Sequence, residues 1–181
     1  MLLLKRKHDN ALIKARKFAV KWHNKQKENR LRLAETEADI TLSKIKVNEE
    51  NIELALALLY LGEGFKKSVE TGMGNSDPLI LKFFLGVLLN IYHLDINKIG
   101  FYLHLRYDQD PKKMKKYWSR ELNVPIGRFK KVSIDKRTIN KKTYPDYKGV
   151  CIINCAHVAI QRKLVYIGRK FCQKVIENKR D

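Results

Sequence analysis

Nowhere does this chain run for about 18 residues without a polar interruption, so no membrane-spanning segment and no membrane partner are expected. The opening Met1-Leu2-Leu3-Leu4-Lys5 is too short an apolar run to read as a secretory signal. Cysteine is scarce: Cys151, Cys155 and Cys172 are odd in number and form no C-x-x-C pair. On a strand, Cys151 and Cys155 would share a face about 13 Å apart, too far for a disulfide. Structural thiols in a reducing, cytoplasmic setting are expected, rather than metal ligands. There is no internal repeat or low-complexity stretch, and no helix-turn-glycine-helix rhythm of the helix-turn-helix kind.

What the chain has is positive charge. Its 181 residues carry a formal net charge of +19, more than solubility requires, which points to a polyanionic partner. The charge is uneven: residues 1 to 50 hold 13 basic and 7 acidic groups, 51 to 97 hold 3 and 5, 98 to 148 hold 15 and 5, and 149 to 181 hold 7 and 2. A slightly acidic, apolar centre is flanked by basic material. The length allows one domain with a sizeable core plus an appendage, here a basic helical arm over residues 1 to 49 and a domain over 50 to 181.

The arm reads as helix over residues 10 to 48, with Ala11, Ala15, Phe18 and Trp22 on one stripe and Lys14, Lys17, Lys21 and Lys25 on another. Two readings stand side by side: a helix lying along phosphates, with Lys14, Lys17 and Lys21 on them, or a solvated helix. Asn51 to Leu61 is apolar all round, with Glu53 its only charge, and an all-round apolar helix is expected to be buried on every side. It stops at Gly62-Glu63-Gly64, which places Glu63 at the negative end of the helix dipole, where an acid needs a compensating cation.

Farther on, Ser68 to Thr71 reads as a weak strand and Gly72-Met73-Gly74 as a turn. Asp77-Pro78 is a cap followed by proline at the first helical position, opening a core helix to Leu94. His93 falls on its polar stripe and reads as a surface histidine. Ile99 to Tyr107 alternates, with Ile99, Phe101, Leu103, Leu105 and Tyr107 inward and Tyr102, His104 and Arg106 outward. Asp108 and Asp110 resemble a metal-binding carboxylate pair, yet Asp110-Pro111 repeats the helix start, so Asp110 is read as a cap. A basic helix from Lys112 to Leu122 precedes a strand, Phe129 to Arg137, with Val132 and Ile134 inward and Lys131, Ser133, Asp135 and Arg137 outward. A basic loop with Lys141 and Lys142 leads to a strand from Val150 to Ala156. The last helix, His157 to Glu177, carries Ile160, Leu164, Ile167, Phe171 and Val175 on its apolar stripe.

Leu56-Ala57-Leu58-Leu59-Tyr60-Leu61-Gly62-Glu63-Gly64 resembles the nine-residue motif of the LAGLIDADG homing endonucleases. Leu56, Ala57, Leu59, Glu63 and Gly64 fall in register, and Gly62 matches the small residue before the acid. Leu58 stands where the motif has a glycine that lets paired helices approach, and Leu61 stands at an acidic position. The resemblance implies an α+β fold, a mixed or antiparallel sheet packed by helices, forming a saddle over double-stranded DNA. One motif implies a homodimer, with Leu56, Leu59, Tyr60 and Gly62 at the helix seam.

The resemblance further implies a Mg²⁺-dependent DNA endonuclease in which paired Glu63 carboxylates hold the metal. Lys131 and Lys136 are candidates for an assisting lysine. The outward strand residues Tyr102, His104, Arg106, Lys131, Ser133 and Arg137 would face DNA, with Lys141 and Lys142 beside them. The alternatives are a non-cleaving transcriptional regulator that keeps the fold and has lost the chemistry, and an RNA-binding protein resembling the family's intron maturases.

Overall fold

The computed structural model describes the backbone of residues 2–178 and the side chains of residues 12–178. Expectations for Met1, for the side chains of Leu2 to Lys5 and Ala11, and for residues 179–181 lie outside the described residues. The chain divides into two units between Val47 and Asn48.

The first unit is one helix, α1 (Leu2–Leu42). All its described side chains are exposed except Gln26, including Lys14, Lys17 and Lys21. The expected apolar stripe is exposed too, with Phe18 at 74% and Trp22 at 52%.

The second unit has the order α2 (Glu49–Glu63), β1 (Thr71–Asn75), α3 (Pro78–Asn90), β2 (Ile99–Arg106), α4 (Pro111–Leu122), β3 (Phe129–Asp135), β4 (Val150–Cys155) and α5 (Val158–Glu177). Three of these helix starts, those of α2, α3 and α4, have a side-chain cap. Asn48 accepts from the Asn51 N–H at 3.1 Å, and Glu49 and Glu50 sit where the dipole favours acids. Asp77 accepts from the Leu79 N–H and Asp110 from the Lys112 N–H, each at 2.8 Å and each followed by proline. Asp110 is thus a cap. Its neighbour Asp108 clamps the basic loop, taking the Thr143 N–H at 2.7 Å and the Thr143 hydroxyl.

The sheet is mixed, in the order β1-β4-β2-β3. β1 and β2 both pair antiparallel with β4, and β2 pairs parallel with β3. A parallel pair requires a crossover of a dozen or more residues, which α4 and its flanks supply. The helices of this unit pack on one face of the sheet. Toward them point Met73, Phe101, Leu103, Leu105, Cys151, Ile153 and Cys155, all buried, against Leu56, Tyr60, Phe84, Leu88, Trp118 and Leu164. Burial pushes the Cys155 thiol up to about 11 and raises that of Cys151 still further, so both are inert packing groups.

Polar groups tie the helices where the core needs them. Glu53 on α2 pairs with Lys163 on α5 at 2.6 Å and accepts from the Tyr92 hydroxyl at 2.6 Å. Buried Gln161 donates from Nε2 to the carbonyls of Phe65 at 2.6 Å and Ser68 at 2.7 Å, fixing the segment between α2 and β1. Trp118 donates from Nε1 to the Lys148 carbonyl at 3.0 Å, pinning the long loop before β4 to α4.

Several expectations are corrected. Gly72-Met73-Gly74 is not a turn but the middle of β1. A Cβ at Gly72 would come within 2.7 Å of the Phe65 ring and 3.1 Å of Asn154, so neighbouring groups occupy the space that side chains would take. The helix begun at Pro78 ends at Asn90, and His93 follows it with φ 50°, exposed. Tyr107 lies past the end of β2 and is 56% exposed rather than inward. Arg137 follows the end of β3 in a 3₁₀ turn, Lys136–Thr138. On α5 the apolar stripe loses its cover: Ile160 and Leu164 are buried, whereas Phe171 and Val175 are exposed.

α2 is not buried on every side either. Leu56, Ala57 and Tyr60 are fully buried, but Ala55, Leu58 and Gly62 form an uncovered line at i, i+3 and i+7.

Candidate nucleic-acid interface

Because side chains alternate across a strand, the pairing register decides which residues share the helix-free face of the sheet. Tyr102 on β2 stands opposite Lys131 on β3, His104 opposite Ser133, and Arg106 opposite Asp135. All six share that face. The register shifts between Phe101 and Tyr102, and the shift keeps Lys131 and Ser133 outward after the buried Phe129. On β4 the same face carries Val150, Ile152 and Asn154, and on β1 it carries Gly72 and Gly74, covered by the Phe65 ring.

At the end of β2 and β3 the open face deepens into a groove of about 580 Å³, lined among others by His104, Arg106, Ser133, Lys136 and Arg137. Arg106 donates from Nη2 to the Lys141 carbonyl at 3.4 Å, which anchors the basic loop beside the groove, while its buried Nε has no partner. Lys141 and Lys142 are exposed on that loop. Asp135, the groove's one acid, is held by Arg137, whose guanidinium lowers the carboxyl below the usual range, helped by the Arg137 backbone N–H and by Arg106. The groove therefore offers cations and hydroxyls to an anion, and its single carboxylate is already engaged.

Glu63 lies at the other side of the sheet. It is exposed at the last residue of α2 and accepts from the Asn75 Nδ2 at 3.2 Å. The cation that its position calls for is Lys66, whose Nζ donates to the Leu61 carbonyl at 2.7 Å and the Gly62 carbonyl at 3.2 Å. Sequence reasoning missed Lys66, although a basic residue just after a helix end is a known capping signal. Gly64 has φ −78°, so it is not a left-handed cap. It is glycine because a Cβ there would come within 2.5 Å of the Tyr60 ring.

The proposed catalytic set does not assemble within one chain. Asn75 pairs with Cys151, Cys151 with Leu103, and Leu103 with Val132, so β3 is three strands away from Glu63's neighbour. At roughly 4.8 Å per strand that is roughly 14 Å between backbones. Within one chain Lys136 lines the basic groove and Lys131 stands on the open face of β3, both away from Glu63.

The expected helix seam is also corrected. Leu56 and Tyr60 are fully buried inside one chain, with the Tyr60 hydroxyl donating to the Phe65 carbonyl at 3.3 Å and accepting from the Gly72 N–H at 3.2 Å. Neither can meet a partner. Leu59 is half-buried and Gly62 exposed, and together with Ala55 and Leu58 they make the side of α2 that remains open.

Arg128, which sequence reading passed over, is structural. Its guanidinium donates to the carbonyls of Ile96 and Ile99 and to Asn97, and lies 5.9 Å from the Phe101 ring centroid. No helix among the described residues is long and apolar enough to cross a membrane. None of the known protein-family models, curated proteins or solved structures matches this chain.

Proposed function

We propose that the domain from Asn48 onward binds double-stranded DNA with the open face of its sheet, as a homodimer of the LAGLIDADG-like kind. The observation that carries this reading is the gathering of Tyr102, His104, Arg106, Lys131 and Ser133 on one helix-free face, with Lys136, Arg137, Lys141 and Lys142 at its margin. A sheet face bearing cations and hydrogen-bonding side chains has the chemistry to hold phosphates and to read base edges. Exposed Lys14, Lys17 and Lys21 on α1 add a second basic surface of the same kind.

The test is equilibrium binding of the full chain to a labelled duplex at several salt concentrations. An interface touching 6–10 phosphates should lose roughly a thousandfold or more in affinity between 50 and 200 mM salt. Binding that ignores salt, or no binding at low salt, refutes the reading. Preference for a structured RNA over duplex DNA in the same assay would move it to the maturase-like alternative.

Cleavage is a second reading, favoured by the exposed Glu63 carboxylate at the end of the motif helix. One carboxylate is a single ligand, and among the described residues no group of three or more His, Cys, Asp or Glu stands together. A Mg²⁺ site would therefore need the Glu63 of a second copy and oxygens from the DNA. Nicking of the bound duplex that requires Mg²⁺ and disappears in Glu63→Gln supports a nuclease. Tight binding without nicking supports a regulator.

A further inference from the structure

Arg137 differs from the other cations at the groove in being held by a carboxylate while its side chain stays almost wholly exposed. Asp135 Oδ1 accepts from the Arg137 Nε at 2.9 Å and from its backbone N–H at 3.0 Å, and Oδ2 accepts from Nη2 at 3.1 Å. The Arg137 side chain is nonetheless 90% exposed, against 37% for Asp135. An exposed ion pair of this sort contributes little to stability. Its effect is on orientation.

A guanidinium has five N–H donors arranged along distinct edges. Asp135 occupies the edge formed by Nε and Nη2, so the remaining two-donor edge is the one formed by Nη1 and Nη2. We propose that this free edge reads a guanine in the major groove, donating to N7 and O6 together. Guanine is the base that presents two adjacent acceptors there, whereas adenine sets a donor amine beside N7 and would place donor against donor. Asp135 acts as a positioning residue: it fixes the plane of the guanidinium before DNA arrives, so less side-chain freedom is lost on contact. Its own place is fixed by β3, where it stands opposite Arg106 on the open face.

This inference rests on the DNA-binding reading, and the experiment separates the two. Binding sites are selected from a randomised duplex pool by the full chain, by Arg137→Ala and by Asp135→Asn. The unaltered chain should fix a guanine at one position per half-site. Arg137→Ala should lose that preference by about 5- to 150-fold while keeping its preferences elsewhere. Asp135→Asn, which sets an amide donor against Nη2, should weaken the same preference and no other. Replacing that guanine by 7-deazaguanine, which lacks the N7 acceptor, should weaken the unaltered chain and leave Arg137→Ala unaffected.

The inference is overturned if Arg137→Ala selects the same guanine, or if it weakens all sequences equally, as loss of a phosphate contact would. A pool in which the unaltered chain fixes no base overturns it while leaving DNA binding intact. No binding by the unaltered chain removes both.

Discussion

The open face of the sheet has two unlike halves. The β1/β4 half is mostly apolar and uncharged, with Gly72 and Gly74 under the Phe65 ring, Val150 and Ile152 beside them, and Asn154 as its polar side chain. The β2/β3 half carries Tyr102, His104, Arg106, Lys131 and Ser133 and runs into the basic groove. Glu63 stands beside the first half and the candidate lysines beside the second. The difference teaches that the motif acid and the basic surface are separate devices in a single chain, joined only through the frame of the sheet.

The largest effect that would sharpen this contrast is on binding. Reversing two charges on the basic half, Arg106→Glu with Lys131→Glu, should weaken duplex affinity on the order of a hundredfold at low salt. Stability to thermal unfolding should also fall, by about 1–2 kcal/mol, because Arg106→Glu loses the bond to the Lys141 carbonyl and sets a second acid opposite Asp135, whereas Lys131 is exposed. Equal weakening by a double reversal of exposed residues on α5, Arg162→Glu with Lys170→Glu, would show that net charge and not the basic half of the open face sets affinity.

The apolar half should respond in the opposite currency, stability. Gly72→Val drives a side chain into the Phe65 ring and Asn154 and should cost about 1–3 kcal/mol in urea unfolding, and Phe65→Ala should cost about 2 kcal/mol. DNA affinity of the folded fraction should stay within about twofold in both, on the logic that buried-side packing and surface charge act separately. A loss of affinity larger than that would show the apolar half to be part of the DNA surface.

Glu63→Gln should leave both affinity and stability nearly unchanged, since the Asn75 amide keeps an oxygen acceptor and the residue is exposed. Its whole effect should fall on Mg²⁺-dependent nicking, if nicking occurs.

The smallest effect lies away from both halves and serves as the control. Burial pushes the Glu53 carboxyl up, but Lys163 and the Tyr92 hydroxyl outweigh it, so its folded pKa lies below the ordinary 4.5. A depressed carboxyl contributes stability above its unfolded pKa and loses it as pH falls through the folded value. Glu53→Gln should therefore flatten the stability curve below about pH 4.5. It should leave DNA binding at neutral pH unchanged.

How much of this was legible in the sequence depends on whether the signal is local. The alternation of β2 and the caps at Asp77-Pro78 and Asp110-Pro111 are set by residues within a few positions of each other, and they were read directly. The outward face of β2 follows from period 2 alone, and that of β3 does so only past the register shift that separates the buried Phe129 from Lys131. β1 is not legible locally because its glycines are required by Phe65 and Asn154, contacts that no local window displays. The open side of α2 was hidden for a related reason: a helix apolar all round gives no sign of which side lacks a neighbour. The separation of Glu63 from Lys131 came from strand order, with β3 at the far edge in a parallel pair, and strand order is a property of the whole chain.

The hydrogen bonds of Gly72 bear on how two copies of this chain can meet. β1 is an edge strand, and such edges invite a second sheet to add on. Here the Gly72 N–H is taken by the Tyr60 hydroxyl and its carbonyl accepts from the Phe65 N–H at 2.9 Å, while Gly64 bridges to Met73. The strand edge is closed at its centre from within the chain. An added strand along β1 would find the centre of that edge already hydrogen-bonded, so the proposed homodimer would have to use another surface, such as the exposed line of Ala55, Leu58 and Gly62 on α2.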